Sequence, residues 1–222
     1  MRQLADDLFI LGGFPPYAIN VYLMGDVLVD AGSRHAEKRI LRQLRGRTVA
    51  THVVTHAHAD HQGSSHAVCE ALGLPLWCGD LDAAAIEDGR IRQRMPAHPM
   101  NDLIARVFPG PPHPVSRRLQ EGDEVAGFTV LDTPGHSAGH ISLWREADRT
   151  LICGDVFTNM DTITGLPGLH EPKGFFTPDP ARNRESMRRL AALRPALVGF
   201  GHGRPLRDPD KLAHFTAGLA RS

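Results

Sequence analysis

The most informative stretch of this sequence runs from Thr55 to Gly63 and reads THAHADHQG. It places three imidazoles and one carboxylate within six residues, directly after a short apolar run that predicts a buried strand. Imidazole and carboxylate side chains are together typical ligands of Zn²⁺, Fe and Mn²⁺. A strand-to-helix turn of this kind predicts that His56 and His58 face one metal centre while Asp60 and His61 face another.

The regions around this stretch predict a mixed fold. Short apolar runs alternate with turn signals through the first 30 residues, which indicates antiparallel strands. Helices are predicted from about Ser33 to Gly46 and from about Gly63 to Leu72, each between strands. The pairs Asp179-Pro180 and Asp208-Pro209 predict the starts of two later helices, because Asp caps a helix and Pro suits its first turn. Two such halves predict an α/β (α+β) architecture of stacked sheets flanked by helices.

Composition excludes several classes of protein. The chain has 222 residues, with 25 basic and 25 acidic side chains, whereas a nucleic-acid or membrane-surface binder needs a basic excess. Its three cysteines show no C-x-x-C spacing, which argues against a disulfide framework and a thiolate zinc site. The chain does not open with a basic segment and a long apolar run. We therefore expect a single cytoplasmic domain over residues 1–222 that has no membrane contact; its oligomeric state is open.

One segment, from about residue 80 to 118, fits the scaffold poorly. It begins with a helical pattern and then becomes rich in proline, which predicts a lid or insertion. Between Asp88 and Arg118 it carries six arginines against two aspartates. This excess has two interpretations of similar weight: a solvated helical face, or a surface that attracts an anionic substrate. The segment could also serve as a contact between subunits.

Four motifs in a fixed order carry a resemblance to a known family. Besides HAHADH at residues 56–61, the chain reads TPGHSAGH at 133–140, CGD at 153–155 and FGHG at 200–203. This series resembles the ligand motifs of the metallo-β-lactamase superfamily of hydrolases, with a ligand set like that of glyoxalase II. The resemblance spans Val27 to about Pro205. It implies the family's four-layer αβ/βα sandwich.

The resemblance also implies a dinuclear metal site with seven ligands. In the order first ion, second ion and bridge, the implied ligands are His56, His58 and His136, then Asp60, His61 and His202, then Asp155. It implies further that Asp60 orients a bridging hydroxide as the catalytic residue, and that Asp30 supports the histidine loop. Zn²⁺ is the first choice for both ions, with Fe or Mn²⁺ as alternatives.

This ligand set predicts a metal-dependent hydrolase. Metal coordination lowers the pKa of water from about 15.7 towards 7, so a metal-bound hydroxide can attack a small ester, thioester or lactone. Two divalent ions facing two carboxylates and one hydroxide leave the site at about +1, which favours an anionic or ester-like small molecule. The alternatives are a phosphodiesterase or nuclease using the same metals, a β-lactam hydrolase, and a non-catalytic metal-binding domain; a nucleic-acid partner is the less favoured.

A substrate pocket is predicted from side chains in loops near the motifs. The candidates are Phe14, Tyr17, Met95, Phe157, Phe175 and Phe176. Aromatic residues in such loops serve as core packing just as often, and that interpretation stays open for each of them.

Overall fold

The computed structural model describes residues 1–219, and its largest element is a seven-stranded sheet with the strands in sequence order. The strands are β1 (Arg2–Ala5), β2 (Leu8–Ile10), β3 (Tyr22–Met24), β4 (Val27–Val29), β5 (Thr51–Val54), β6 (Leu76–Gly79) and β7 (Arg117–Leu119). Strands β1 to β4 pair antiparallel, as predicted, and β4 to β7 pair parallel. The parallel part brings the carboxyl ends of β4, β5 and β6 to one edge.

A second sheet has five strands in the order β14-β11-β10-β9-β8. Its strands are β8 (Glu124–Val125), β9 (Phe128–Asp132), β10 (Ile141–Arg145), β11 (Thr150–Ile152) and β14 (Leu197–Gly199). Because β10 is antiparallel to both β9 and β11, and β11 is parallel to β14, strands β9, β11 and β14 all run in one direction. Strands β12 (Thr158–Met160) and β13 (Pro167–His170) form a separate hairpin.

Seven α-helices accompany these strands within residues 1–219; the first six lie between strands and the last follows β14. They are α1 (Glu37–Leu44), α2 (Ala59–Gln62), α3 (Ser65–Leu72), α4 (Asp80–Asp88), α5 (Pro99–Val107), α6 (Pro180–Ala192) and α7 (Pro209–Ala217). The predicted caps are confirmed, since Asp179 and Asp208 each accept a hydrogen bond from a backbone N–H of the first turn. None of the described helices is long and apolar enough to cross a bilayer.

The first helix begins at Glu37, so the predicted start at Ser33 is wrong. The backbone carbonyl of Ser33 accepts hydrogen bonds from the Ala36 N–H at 2.9 Å and from the Ser64 hydroxyl at 2.6 Å. These bonds hold residues 33–36 in a turn. The start of the helix therefore depends on a residue 31 positions away, which a local sequence pattern does not contain.

Three apolar clusters order the elements into four layers. Leu28 of β4 packs with Ile40 of α1 and Val68 of α3 on the outer face of the first sheet. Its neighbour Val29 points the opposite way, into a cluster that the two sheets share. On the far side of the second sheet, Leu190 of α6 packs in a third cluster. The order helices, sheet, sheet, helices confirms the predicted αβ/βα sandwich.

The segment from residue 80 to 118 divides into two parts with different packing. Its first helix, α4, buries Ala83, Ala85 and Ile86 in the cluster behind the first sheet. The second helix, α5, has only Asn101 fully buried and leaves Leu103 56% exposed. Helix α4 is therefore part of the scaffold, and the less embedded part begins after it.

Buried His52 on β5 makes the stability of the fold sensitive to acid. Its Nδ1 donates to the Leu28 carbonyl at 3.1 Å, so the neutral ring accepts from the Ser65 hydroxyl through Nε2 at 2.8 Å. Burial lowers the pKa of His52 to about 4. The unfolded chain, with a histidine pKa of about 6.5, binds this proton more readily, so the contribution of His52 is complete above about pH 6.5 and is lost as the pH falls towards 4.

We expect this loss to amount to about 1.4 kcal/mol per pH unit within that window. Urea unfolding of the chelator-treated protein between pH 7 and pH 4.5 would measure it. A His52→Gln variant lacks the titrating group, so the difference in free energy of unfolding between wild type and variant should shrink as the pH falls. Parallel pH curves for the two proteins would contradict the assignment.

Candidate metal centre

The predicted ligands all follow the carboxyl ends of strands that run in the same direction within their sheet. In the first sheet, Asp30 follows β4 and His56 lies two residues beyond β5. In the second sheet, His136, Asp155 and His202 follow β9, β11 and β14. The facing edges of the two sheets thus supply side chains to one place. Loops at the carboxyl ends of parallel strands are the usual position of binding sites in α/β folds.

The first group of predicted ligands is His56, His58 and His136. One ligand atom from each lies within 4.8 Å of the others, and all three side chains are buried. The Nε2 atoms of His56 and His136 have no hydrogen-bond partner among the described residues. A buried polar atom without a partner is costly, and a metal ion at this position would satisfy both nitrogens.

The second group is Asp60, His61 and His202. Asp60 Oδ2 lies 3.2 Å from His202 Nε2 and 3.9 Å from His61 Nε2. The two imidazole nitrogens are 3.4 Å apart. Helix α2 carries Asp60 and His61, and its single turn begins at Ala59, directly after His58, which is in the extended conformation. The three ligand atoms again lie within 4.8 Å of one another.

Asp155 lies between the two groups. Its Oδ2 is 3.0 Å from His202 Nε2, 3.6 Å from His61 Nε2 and 3.5 Å from His136 Nε2. Its Oδ1 is buried without a hydrogen-bond partner in the described part of the chain. A Cβ atom at Gly201 would overlap this carboxylate, so only glycine leaves space for it there. The geometry suits a carboxylate that is shared by two cations.

Hydrogen bonds to the far side of each ring fix which nitrogen faces the centre. His61 Nδ1 donates to Asp30 Oδ2 at 2.9 Å, and His202 Nδ1 donates to the Ala18 carbonyl. His56 Nδ1 lies 3.1 Å from the Thr55 hydroxyl, which in turn contacts Asp30 at 2.9 Å. These bonds direct Nε2 of each ring towards the centre, which is the usual arrangement around metal-binding histidines.

Asp82 was not predicted from the sequence, and it is hydrogen-bonded to both histidine motifs. This residue of α4 is 3% exposed. Its carboxylate accepts hydrogen bonds from the Ala57 N–H at 2.8 Å, the Ser137 hydroxyl at 2.6 Å and the Gly139 N–H at 2.8 Å. Ala57 lies between two predicted ligands. The available signal was its position just after β6, at the same sheet edge as Asp30.

His140, the last residue of the second motif, is a neighbour of the centre. The backbone N–H of Asp155 donates to His140 Nε2 at 3.1 Å, and His140 Nδ1 lies 2.8 Å from the Thr133 hydroxyl. Burial lowers the pKa of His140 to about 3, so the ring stays neutral and can accept that bond. Both ring nitrogens are therefore occupied by the protein, and His140 positions the loop that carries Asp155.

Charges in the cluster are divided between its two halves. Burial lowers the pKa of His56 and His136, and neighbouring histidines lower it further. Burial also lowers the pKa of His202, but Asp155 and Asp60 outweigh it and raise the pKa to about 10. The pKa of Asp155 lies well below its ordinary value because His202 and His61 outweigh the effect of burial. The carboxylates of Asp60 and Asp155 thus favour the protonated, positively charged form of the histidine beside them. A divalent cation would compete with the ring proton for the same position.

The comparisons with known proteins identify the family of this chain. A sequence profile of the metallo-beta-lactamase superfamily matches residues 14–202, a range that includes all seven predicted ligands. The chain belongs to the metallo-β-lactamase superfamily. Among proteins of this superfamily it is 29% identical over 212 residues to the probable metallo-hydrolase YflN of Bacillus subtilis (strain 168). That match covers 86% of this chain and 80% of YflN.

Two further relatives in the metallo-β-lactamase superfamily have more specific names. The chain is 31% identical over 161 residues to a hydroxyacylglutathione hydrolase of Rhodospirillum rubrum, covering 68% of this chain and 48% of that protein. It is 36% identical over 126 residues to the acyl-coenzyme A thioesterase MBLAC2 of Gallus gallus, covering 52% and 44% of the two chains. The solved structure of TTHA1623 in a di-iron-bound form matches with a TM-score of 0.62 and 30% identity, over 93% of this chain and 91% of that one. The protein is thus a metal-dependent hydrolase.

A cavity of about 350 Å³ opens onto the metal centre of this metallo-β-lactamase fold. Its polar floor is formed by His58, Asp60, His136, Asp155 and His202. Most of the remaining wall is apolar and comes from the region after α4, from the β12–β13 hairpin and from the loop beyond it. The main apolar lining residues are Met95, Met100, Leu103, Ile104, Phe108, Met160, Ile163 and Phe176.

Of the six predicted pocket residues, Met95 and Phe176 line this cavity and the other four do not. Phe157 is fully buried behind the second sheet, where its ring lies 6.2 Å from that of Phe215. Phe175 stacks on His98 with ring centroids 4.4 Å apart. Tyr17 packs against the cluster between the sheets, and Phe14 is 94% exposed. Besides Met95 and Phe176, the apolar lining consists of Phe108 and of aliphatic and methionine side chains that were not predicted from the sequence.

Proposed function

We propose that this metallo-β-lactamase superfamily member holds two divalent metal ions and hydrolyses small thioesters and esters, including lactones, that carry an apolar acyl group. The observation that carries the proposal is the apolar cavity of about 350 Å³ whose floor is formed by five of the seven proposed ligands. A cavity of this size accommodates a small molecule and little more. The R. rubrum hydroxyacylglutathione hydrolase and the Gallus gallus acyl-coenzyme A thioesterase are named for thioester substrates, which supports the same substrate class.

In this proposal the ligands keep the roles that the motifs imply. His56, His58 and His136 hold one ion, Asp60, His61 and His202 hold the other, and Asp155 joins them. Zn²⁺ is the proposed ion and Fe is the alternative, which the di-iron form of the similar TTHA1623 supports. When bound, the metal ions lower the pKa of a water molecule and polarise the carbonyl group of the substrate.

The remaining chemistry belongs to side chains of this protein. Asp60 borders the cavity with 29% of its side chain exposed, so its carboxylate can orient a water molecule and hold a proton that leaves it. The apolar wall excludes other water and places the acyl group so that its carbonyl lies over the floor. We assign the role of lid to residues 91–108, because Met95, Met100 and Leu103 cover the cavity from one side.

A second cavity of about 430 Å³ adjoins the first and suggests where a thiol carrier would lie. The two cavities share His58 and Met95. The second is bordered by Arg182, whose guanidinium group suits a carboxylate or phosphate group of a large thiol, and by Arg94, which is paired with Asp88. This arrangement favours a thioester in which the acyl group occupies the apolar cavity and the carrier extends past Arg182.

The structure offers less support for a phosphodiesterase or nuclease. Four of the six arginines in the segment predicted as an insertion form ion pairs: Arg92 with Asp102, Arg94 with Asp88, Arg117 with Asp123, and Arg118 with Asp80 and Glu87. Paired guanidinium groups attract a polyanion less strongly than free ones. The lining of the cavity is also mainly apolar, which suits an acyl chain better than a phosphodiester.

An activity panel on the metal-loaded protein tests the proposal. We expect hydrolysis of acyl-coenzyme A and S-acylglutathione thioesters and of p-nitrophenyl esters, with KM falling about fourfold for each CH₂ added from acetyl to hexanoyl, because each buried CH₂ contributes about 0.8 kcal/mol. The panel should also contain a lactone, a chromogenic β-lactam and bis(p-nitrophenyl) phosphate. Turnover of the phosphodiester or the β-lactam, with no turnover of any thioester, ester or lactone, would overturn the proposal.

A further inference from the structure

A second cluster of metal-ligand side chains lies apart from the seven-ligand centre. His66 and Glu70 are one turn apart on α3, and His113 lies in the loop between α5 and β7. One ligand atom from each of the three lies within 4.8 Å of the others. The sequence motifs and the proposed function leave all three residues without a role.

The geometry of the two rings suits a shared cation. Their Nδ1 atoms are 3.2 Å apart, and the ring planes are inclined by 70°. Two imidazole nitrogens on one tetrahedral Zn²⁺, each about 2.0–2.1 Å from the ion, lie about 3.3 Å apart. Burial and the neighbouring His66 lower the pKa of His113, which favours the neutral form that binds metals. Glu70 is exposed and can bring its carboxylate to the open side of the pair.

The loop that carries His113 is connected to the catalytic region. The Arg34 N–H donates to the Phe108 carbonyl at 3.2 Å, and Phe108 lines the substrate cavity. Gly110 packs so closely on the Gly63 carbonyl that a Cβ there would overlap it. Gly63 ends the histidine stretch. A cation that joins His113 to α3 would therefore hold the end of the lid against the metal-binding loop.

We propose that His66, Glu70 and His113 form a third metal site, selective for Zn²⁺ or a similar borderline cation, which fastens the end of the lid to helix α3. The fourth coordination position faces solvent and is left to water. The role is structural, since the cluster does not border the cavity. The site is independent of which substrate the enzyme hydrolyses.

Zn²⁺ titration of the full-length, metal-free protein against a competing chelator tests the site. We expect three equivalents per chain for the wild type, the third binding more weakly. His66→Gln should weaken the third equivalent about 100-fold and Glu70→Gln about tenfold, while two equivalents stay unchanged. Both positions lie at the surface of α3, so folding should persist, and His214→Gln on α7 is the matched control. Zn²⁺ binding by His66→Gln that equals that of the wild type in both stoichiometry and affinity would overturn the site.

Hydrogen exchange tests whether the third ion fastens the end of the lid to α3 or only binds there. On addition of the third equivalent, we expect the backbone amides of residues 103–113 to exchange at least about tenfold more slowly in the wild type, and to be unchanged in His66→Gln. Binding of the third ion without slower exchange of these amides would overturn the proposed fastening of the lid. Because these readouts do not use substrate turnover, they succeed or fail separately from the activity panel.

Discussion

An Asp60→Asn variant is expected to lose at least about 10³-fold in kcat/KM, which corresponds to about 4 kcal/mol of transition-state stabilisation. The amide keeps the shape of the carboxylate but removes its negative charge and its ability to hold a proton. Asp60 is also one of only three protein ligands proposed for the second ion besides the bridge. We therefore expect the metal content of the variant to fall from about two ions per chain towards one.

Kinetics with the best substrate of the panel, together with elemental analysis of the same samples, measure both effects. Circular dichroism should show an unchanged fold, because Asp60 lies on the polar floor of the cavity and not in an apolar cluster. Asp26→Asn, in the exposed turn between β3 and β4, is the matched control and should retain full activity. An Asp60→Asn protein that keeps two ions and more than a tenth of the activity would contradict the proposed role.

An Asp82→Ala variant is expected to lose about 3–5 kcal/mol of unfolding free energy. The substitution leaves two buried backbone N–H groups, those of Ala57 and Gly139, without an acceptor. It also releases the Ser137 hydroxyl. Since Ala57 lies between His56 and His58, the loss should loosen the first metal position as well, and metal affinity should fall at least about tenfold.

Denaturant unfolding and chelator competition measure these two losses separately. Asp82→Asn should lose less unfolding free energy than Asp82→Ala, because its amide oxygen can still accept some of the hydrogen bonds. Asp80→Ala is the control on the same helix: its ion pair with Arg118 is exposed and 3.4 Å long, so the cost should stay below about 1 kcal/mol. Equal stability losses for the Asp80→Ala and Asp82→Ala variants would show that the buried network does not hold the two motifs.

The layers of the fold and the position of the centre could be predicted because their signals are local. His56 to His61 are consecutive, and the other predicted ligands occur in short motifs after apolar strands. The caps at Asp179 and Asp208 depend on residues within one turn, so they too could be predicted from the sequence. Strand ends that point in one direction then bring these local features to the same edge of each sheet.

Features that depend on strand order or loop packing could not be predicted from the sequence. Asp82 accepts from residues 25, 55 and 57 positions away. The parallel pairing of β5 with β6 brings it to Ala57, whereas Ser137 and Gly139 reach it from the loop between β9 and β10 of the second sheet. Phe157 lies just two residues after Asp155, yet the chain turns between them and directs the ring into the core. The aliphatic wall of the cavity is brought together from separate loops, and no periodicity in the sequence marks it.

The distribution of the predicted ligands over two sheets gives metal loading a meaning beyond catalysis. Four of the seven follow β5 of the first sheet, and the other three follow strands of the second. Neither half of the chain alone offers a complete coordination shell for both ions. Cations bound here would link the two halves of the chain, so their binding free energy would be added to the free energy of unfolding of the sandwich. Metal occupancy would then report whether the two sheets have assembled in the correct relative position.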